Sequence, residues 1–210
     1  MIDDLAVKAN SVISEWSKDI SKLVIAIDGW TGVGKTSLLA QLAVLNRDIL
    51  PVNRDDFLLS RATVQDLLSK ASEKSKVFEL EVCDNKEVEK LIVAFRADEK
   101  LFHANVFDPI SGEVTIPKDF ETSKKILVIE GVFMFHPKLL NHLWDKRIYL
   151  EGDVVQIDER RVKREKEKWG KDYFPETHPD SYFRLVTIAL KRYIELHKPE
   201  KIADLVLRVD

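Results

Sequence analysis

Gly29-Trp30-Thr31-Gly32-Val33-Gly34-Lys35-Thr36 carries the spacing G-x-x-x-x-G-K-[ST]. That spacing belongs to phosphate chemistry. Glycines let the backbone turn tightly and point successive N–H groups inward as a nest for phosphate oxygens. The following helix adds unpaired N–H groups and the positive end of its dipole. Lys35 would bring its ammonium to the β- and γ-phosphates, and the Thr36 hydroxyl would hold Mg²⁺. Candidate nucleotide contacts are therefore Gly29, Thr31, Gly32, Val33, Gly34, Lys35, Thr36 and Ser37. An ordinary glycine turn would share the glycines, but here an apolar run precedes the loop and a helical pattern follows it, as the motif requires.

Three further groups suit phosphoryl transfer. Asp55 and Asp56 stand just past a second apolar run, where a carboxylate can accept the proton of an attacking hydroxyl or hold the metal. A pair of turn or helix-capping aspartates would look the same. Glu130 closes another apolar run and is the second acidic candidate, as metal ligand or base. The candidate metal set is Thr36, Asp55 and Glu130. Arg160, Arg161, Lys163 and Arg164 lie in a charged stretch broken at Gly170. This reads as a basic lid over residues 158–175, with Arg161 and Arg164 nearest to catalysis beside Lys35. A solvated helix laced with Glu159–Lys163 and Arg161–Glu165 pairs is the plainer account. Phe57, Phe107 and Asp108, with Asp55, are candidates for an acceptor pocket holding a ring and its hydroxyls. His103, His136, His142, His178 and His197 share no metal-ligand spacing and receive no role.

These residues need a scaffold. Leu23–Ile27, 48–53, 124–131, 146–150 and 204–209 have the apolar character of buried strands. Between them, 35–45, 61–72, 84–96, 154–168 and 182–197 have helical spacing, and 137–144 reads as a short helix opened by its proline. Ser111-Gly112 suggests a turn between short strands within 101–117. Residues 2–18 form an amphipathic N-terminal helix packed on the rest. Alternating strands and helices imply an α/β fold with a mainly parallel five-stranded sheet, helices on both faces and a basic helical lid. In such sheets ligands sit beyond the carboxyl ends of the strands, so Lys35, Asp55 and Glu130 would meet in one crevice.

The 210 residues, 45% hydrophobic, fit one domain spanning 1–210. A formal charge of −3 gives no global field for nucleic acid. Cys83 is alone, which suits a reducing compartment, and no apolar run reaches membrane-spanning length. With an acidic rather than basic start, these features give the expectation of a cytoplasmic protein without membrane or nucleic-acid partners.

In combination the segments resemble the uridine kinase, phosphoribulokinase and nicotinamide riboside kinase family of P-loop kinases. GWTGVGKTSL is similar to that family's loop, NRDDFLL to its acidic segment, and ILVIEGVFMFHPKL to its strand–glutamate–glycine stretch. RRVKRE resembles its lid and KPEKIADLVL its ending. The resemblance implies a three-layer P-loop NTPase fold, and transfer of the γ-phosphoryl group of ATP, with Mg²⁺, to a hydroxyl of a small, often nucleoside-like acceptor. By the same resemblance Asp55 contacts the acceptor hydroxyl and VFDPISGE corresponds to the segment that reaches the nucleoside. Phe107 stands where that segment has tyrosine, and Leu58 where an aromatic is usual. The competing classes are a GTP-operated switch and a partner-stimulated ATPase. Asn85-Lys86-Glu87-Val88 lacks the aspartate of a guanine-reading N-K-x-D segment.

Overall fold

The computed structural model describes residues 2–170, 174–175, 177–179 and 181–209, the side chains of 168 and 169 excepted. In chain order the elements are α1 (Ile2–Trp16), β1 (Leu23–Gly29), α2 (Lys35–Leu45), β2 (Ile49–Asn53), α3 (Arg61–Lys70), α4 (Lys74–Leu80), α5 (Asn85–Arg96), β3 (Phe102–Phe107), β4 (Val114–Phe120), β5 (Ile126–Glu130), β6 (Lys146–Gly152), α6 (Val154–Trp169), α7 (Tyr182–His197), α8 (Pro199–Ile202) and β7 (Leu205–Val209). Five strands form one sheet in the order β2-β5-β1-β6-β7, parallel at every pairing. The mainly parallel five-stranded α/β sheet is the architecture that the sequence pattern implies.

Both faces of this sheet are covered, which is why β1 and β5 are buried at every position. Alternation splits their side chains between two cores. Leu23, Ile25 and Ile27 join Ala6, Ile13, Leu38, Leu42, Leu190 and Tyr193 on the face of α1, α2 and α7. Val24 and Ala26 join Val88, Leu91, Phe95, Phe120 and Trp144 on the face of α5 and the β3–β4 hairpin. Each fully buried Leu or Ile contributes roughly 1.5–3 kcal/mol from apolar burial.

The register sets the site. Glu130 lies opposite Ile27 of β1 and Asn53 of β2, so β2 and β5 end level while β1 runs two residues further, to Gly29. The Gly131 N–H donates to the Ile27 carbonyl at 3.1 Å and locks that level past the strand ends.

Three elements differ from the sequence expectation. The helix expected over 61–72 stops at Lys70, with Ala71 extended, and a second helix, α4, follows over Lys74–Leu80. Seven residues are too few for a periodic signal, and α4 is held by tertiary contact of Val77 and Phe78. The short helix expected over 137–144 is a series of turns with one 3₁₀ turn at Asn141–Leu143. There the Lys138 N–H donates to the His136 ring at 3.1 Å, and the Trp144 indole reaches back to the Met134 carbonyl at 2.7 Å. Those bonds compete with a helical ladder. The antiparallel hairpin expected within 101–117 runs on to Phe120.

Candidate active site

The phosphate loop is shaped by what surrounds it. A Cβ on Gly29 would lie 2.5 Å from the Leu150 carbonyl of the neighbouring strand, so only glycine fits. Gly34 caps α2 with φ 112° and no side-chain hydrogen bond, which leaves the first helical N–H groups without a side-chain acceptor. Lys35, only 6% exposed, folds back so that Nζ donates to the carbonyls of Gly29 and Trp30 at 2.9 and 3.0 Å. Loss of water lowers its pKa, against the pull of Glu130, Asp28 and Asp55.

The carboxylates take distinct places. Glu130 is buried at the end of β5 and accepts the Thr36 hydroxyl at 2.7 Å. Burial raises its pKa, and Lys35 and the Thr36 bond oppose the rise. Asp55 is the second residue of a 3₁₀ turn, Arg54–Phe57, whose start is fixed by the Asn53 side chain accepting the Asp55 N–H at 2.9 Å. Its side chain is exposed at the cleft mouth, yet the enclosing walls thin the water around it and raise its pKa, opposed by Lys35 and Arg54. Asp56 instead pairs with Lys118 of the hairpin at 2.8 Å. Of the two aspartates, Asp55 lines the cleft. Arg54, itself buried, ties this turn to its surroundings: its guanidinium donates to the Val132 carbonyl and to Asn85 Oδ1 at 2.9 and 3.1 Å.

The cleft encloses about 320 Å³. Thr31, Gly32, Gly34, Lys35, Thr36 and Ser37 of the phosphate loop and α2 line it, with Asp55, Glu130, Gly131 and Val132 from the ends of β2 and β5 and the residues that follow them. Arg164, Tyr182 and Val186 complete it. Thr36, Glu130 and Asp55 offer hard oxygens, the donor type that Mg²⁺ takes.

The two candidate lid arginines part company. Arg161 is buried: it pairs with Asp158 at 2.7 Å, lies 4.2 Å from the centre of the Phe183 ring, and lays its stem across Gly32. Asp158 also accepts the Trp30 indole N–H at 2.8 Å, latching α6 to the phosphate loop. The Arg161 pairing shown is thus three residues back, where the sequence suggested Glu165. Arg164 lines the cleft with a largely exposed side chain, 3.5 Å from Glu165. Of the expected lid, residues 171–173 lie outside the described residues.

Phe57, Phe107 and Asp108, expected to form an acceptor pocket, are not among the residues lining this cleft. Phe57 is 3% exposed and stacks on Phe120 at 5.7 Å, so its ring belongs to the core. Asp108 spends both carboxylate oxygens on its own turn, accepting the Ile110 N–H and the Ser111 hydroxyl at 2.9 and 2.7 Å. Phe107, half-buried at the end of β3, and Asp108 lie outside the residues lining the cleft. Tyr182 and Val186 line it instead. Their helix was legible in the sequence, but which of its residues face the site was not.

Two networks behind the cleft escaped the sequence. Asp28 is fully buried and accepts the Gly29 N–H, the Phe135 N–H and the Tyr193 hydroxyl at 2.7, 3.3 and 2.6 Å. Burial raises its pKa, and the Tyr193 bond and Lys35 oppose this. The histidines that received no role include two that gather: His136, His197 and Glu79 bring their ligand atoms within 4.8 Å of one another. The Lys138 N–H occupies the His136 Nδ1 lone pair, so the ring proton sits on Nε2 and faces Glu79 Oε1 at 3.5 Å. The Arg192 guanidinium covers the other Glu79 oxygen from 2.8 Å. This is the chemistry of a hydrogen-bonded bracket between α4, α7 and the segment after β5, rather than of a metal centre.

Comparison with known proteins fits this geometry. The profile of the phosphoribulokinase / uridine kinase family matches residues 24–209. A uridine kinase from Chlamydia pneumoniae is 24% identical over 184 residues, 84% of this chain and 73% of that protein. A solved structure described as a possible uridine kinase, from Bacillus stearothermophilus, superposes with a TM-score of 0.71 at 20% identity, over 97% of each chain. D-glycerate 3-kinase from Cryptococcus neoformans shares the fold with a TM-score of 0.62 at 12% identity, over 91% of this chain and 85% of that one. The chain belongs to the phosphoribulokinase / uridine kinase family of P-loop kinases.

Proposed function

We propose that the protein transfers the γ-phosphoryl group of ATP to a hydroxyl of a nucleoside-like acceptor, of the uridine or nicotinamide riboside type. The observation that carries this reading is Asp55, exposed in the same cleft as Lys35, Thr36 and Glu130. A kinase needs a carboxylate to orient and deprotonate an alcohol, and Asp55 is exposed beside the phosphate loop where it can do so. Its raised pKa brings it nearer to the working range of a general base. The Chlamydia relative, named for uridine, supports the nucleoside type.

Phosphoryl transfer asks mostly for positioning and charge neutralisation. The loop N–H groups and α2 would hold the triphosphate, and Lys35 would swing from the carbonyls of Gly29 and Trp30 to the β- and γ-oxygens. Thr36, Glu130 and Asp55 would hold Mg²⁺ between them, directly or through water. Bound there, Mg²⁺ supplies positive charge that offsets the charge developing on the phosphates. Arg164, and Arg161 once released from Asp158, would stabilise the phosphoryl group in flight. The same reading makes residues 1–210 one kinase domain, cytoplasmic, with a small-molecule partner rather than nucleic acid or membrane.

The test is ADP release with Mg–ATP across nucleosides, ribosides, pantothenate, glycerate and sugar phosphates, each against a blank without acceptor. Acceptor-dependent release with nucleosides or ribosides supports the proposal. Turnover indifferent to the panel, or strong GTP selectivity without an acceptor, overturns it.

A further inference from the structure

Resting on the kinase reading above, we propose that Tyr182 determines acceptor choice: its ring forms the wall against which an uncharged, ring-bearing alcohol lies while its hydroxyl meets Asp55. The position is built. Ser181 is buried and caps α7 by accepting the Arg184 N–H at 3.1 Å, which fixes the first helical turn. Tyr182 follows at once, with its ring edge-on to Phe78 at 5.2 Å and 83°. Phe78 is buried on α4, so the tyrosine is braced from behind while 65% of it stays exposed. Val186, one turn on, carries the same wall into the cleft.

Charge narrows the class further. Asp55 and Glu130, both carboxylates, line the same cleft. Lys118, the cation that the hairpin contributes near this side, is already paired with Asp56. Among the described residues lining the cleft the cations are Lys35 and Arg164, which the proposed phosphoryl transfer uses; nearby, Arg54 is held by the Val132 carbonyl and Asn85, and Arg161 by Asp158. A sugar phosphate or a carboxylate-bearing polyol would thus bring an anion toward two carboxylates whose charge Lys35 and a bound Mg²⁺ offset only in part, at a cost in repulsion and lost hydration. A neutral heterocycle with a pendant hydroxyl meets an aromatic face on one side and a hydrogen-bond acceptor on the other. Phe107 and Asp108 are not among the lining residues, and among the described residues that line the cleft Tyr182 is the aromatic one.

Steady-state kinetics of the intact protein test this, with uridine, nicotinamide riboside, glycerate and ribulose 5-phosphate as acceptors. Stacking of one base on an aromatic side chain corresponds to a loss of about 10- to 100-fold on truncation to alanine. Tyr182→Ala should raise the KM of the ring-bearing acceptor by that factor, with kcat and the KM for ATP within about twofold of wild type. Tyr182→Phe, which keeps the ring, should restore most of the acceptor KM, and Tyr182→Leu should not. An unchanged KM for ATP in the same variants shows that the fold is intact. An unchanged acceptor KM in Tyr182→Ala, or an equal fall in kcat for every acceptor, overturns the assignment. A wild-type preference for glycerate or ribulose 5-phosphate overturns it too, while leaving phosphoryl transfer to an alcohol standing. A wild-type protein that ignores every acceptor removes the kinase reading and this inference with it.

Discussion

The Thr36 hydroxyl donates to Glu130 Oε1 at 2.7 Å, joining the first turn of α2 to the last residue of β5. Both atoms belong to the proposed Mg²⁺ set, so the bond holds the two ligand-bearing elements in place. It would be exchanged for bonds to the cation and its water. Asp55→Asn and Glu130→Gln should each reduce kcat, by roughly 10²–10⁴-fold for whichever residue is the base. Chelation of divalent cations should stop turnover in the wild type. The measurement is kcat at saturating ATP and acceptor, and near-normal rates in both variants would contradict the site.

Gly32→Ala probes the contact between the phosphate loop and α6. Gly32 has φ +84°, and a Cβ there would sit 2.7 Å from Arg161 Cγ. The new methyl meets a positive-φ penalty, on the order of 1–3 kcal/mol, and pushes the arginine stem off the loop. The expected outcome is weaker ATP binding by isothermal titration and a lower melting temperature.

Tyr193→Phe removes one of three donors to the buried Asp28 carboxylate. The carboxylate cannot recover that bond from water, so the variant should lose about 1–3 kcal/mol of stability in urea denaturation. The packing against Phe133, edge-on at 5.4 Å, survives the change. Asp28→Asn, which removes the buried charge, should cost less than Asp28→Ala.

His136 gives a pH dependence of known sign. Burial and the nearby His197 lower its pKa to about 4, from an ordinary value of 6.5. Between those values the unfolded chain binds the proton and the folded chain does not, so this contribution to stability is lost as pH falls from 6.5 to 4. Asp28 and Glu130, with raised values, act in the opposite direction over part of the same range. The His136 share is therefore isolated by comparison with His136→Asn, whose side-chain oxygen can still accept the Lys138 N–H. Urea unfolding from pH 7 to 4 should show the wild type losing up to about 2–3 kcal/mol more than the variant.

Local chemistry made much of this protein readable from its sequence. The phosphate loop is a contiguous string between a strand and a helix, so backbone requirements and side-chain roles sit within eight residues. Buried strands announce themselves by uninterrupted apolar runs, because helices on both faces leave them no solvent side. Asp55 and Glu130 were found because parallel topology sends the ends of successive strands to one crevice.

What tertiary structure decided is where side chains outside that string are spent. In sequence Phe57 reads as a ring for the acceptor with Asp108 beside it; the fold stacks that ring on Phe120, and the Asp108 carboxylate accepts bonds from its own turn. Asp55 and Asp56 were equivalent in sequence, and Lys118, 62 residues away, separated them. Arg161 and Arg164 were equals until Asp158 and Phe183 claimed the first. Tyr182 carried no signal at all, since its exposure to the cleft depends on Phe78 of a helix too short to read. The sequence by itself determined the loop, the strands and the crevice, because strand burial and glycine geometry are local. Which polar and aromatic groups face that crevice depended on partners distant in the chain, and only the fold brings those together.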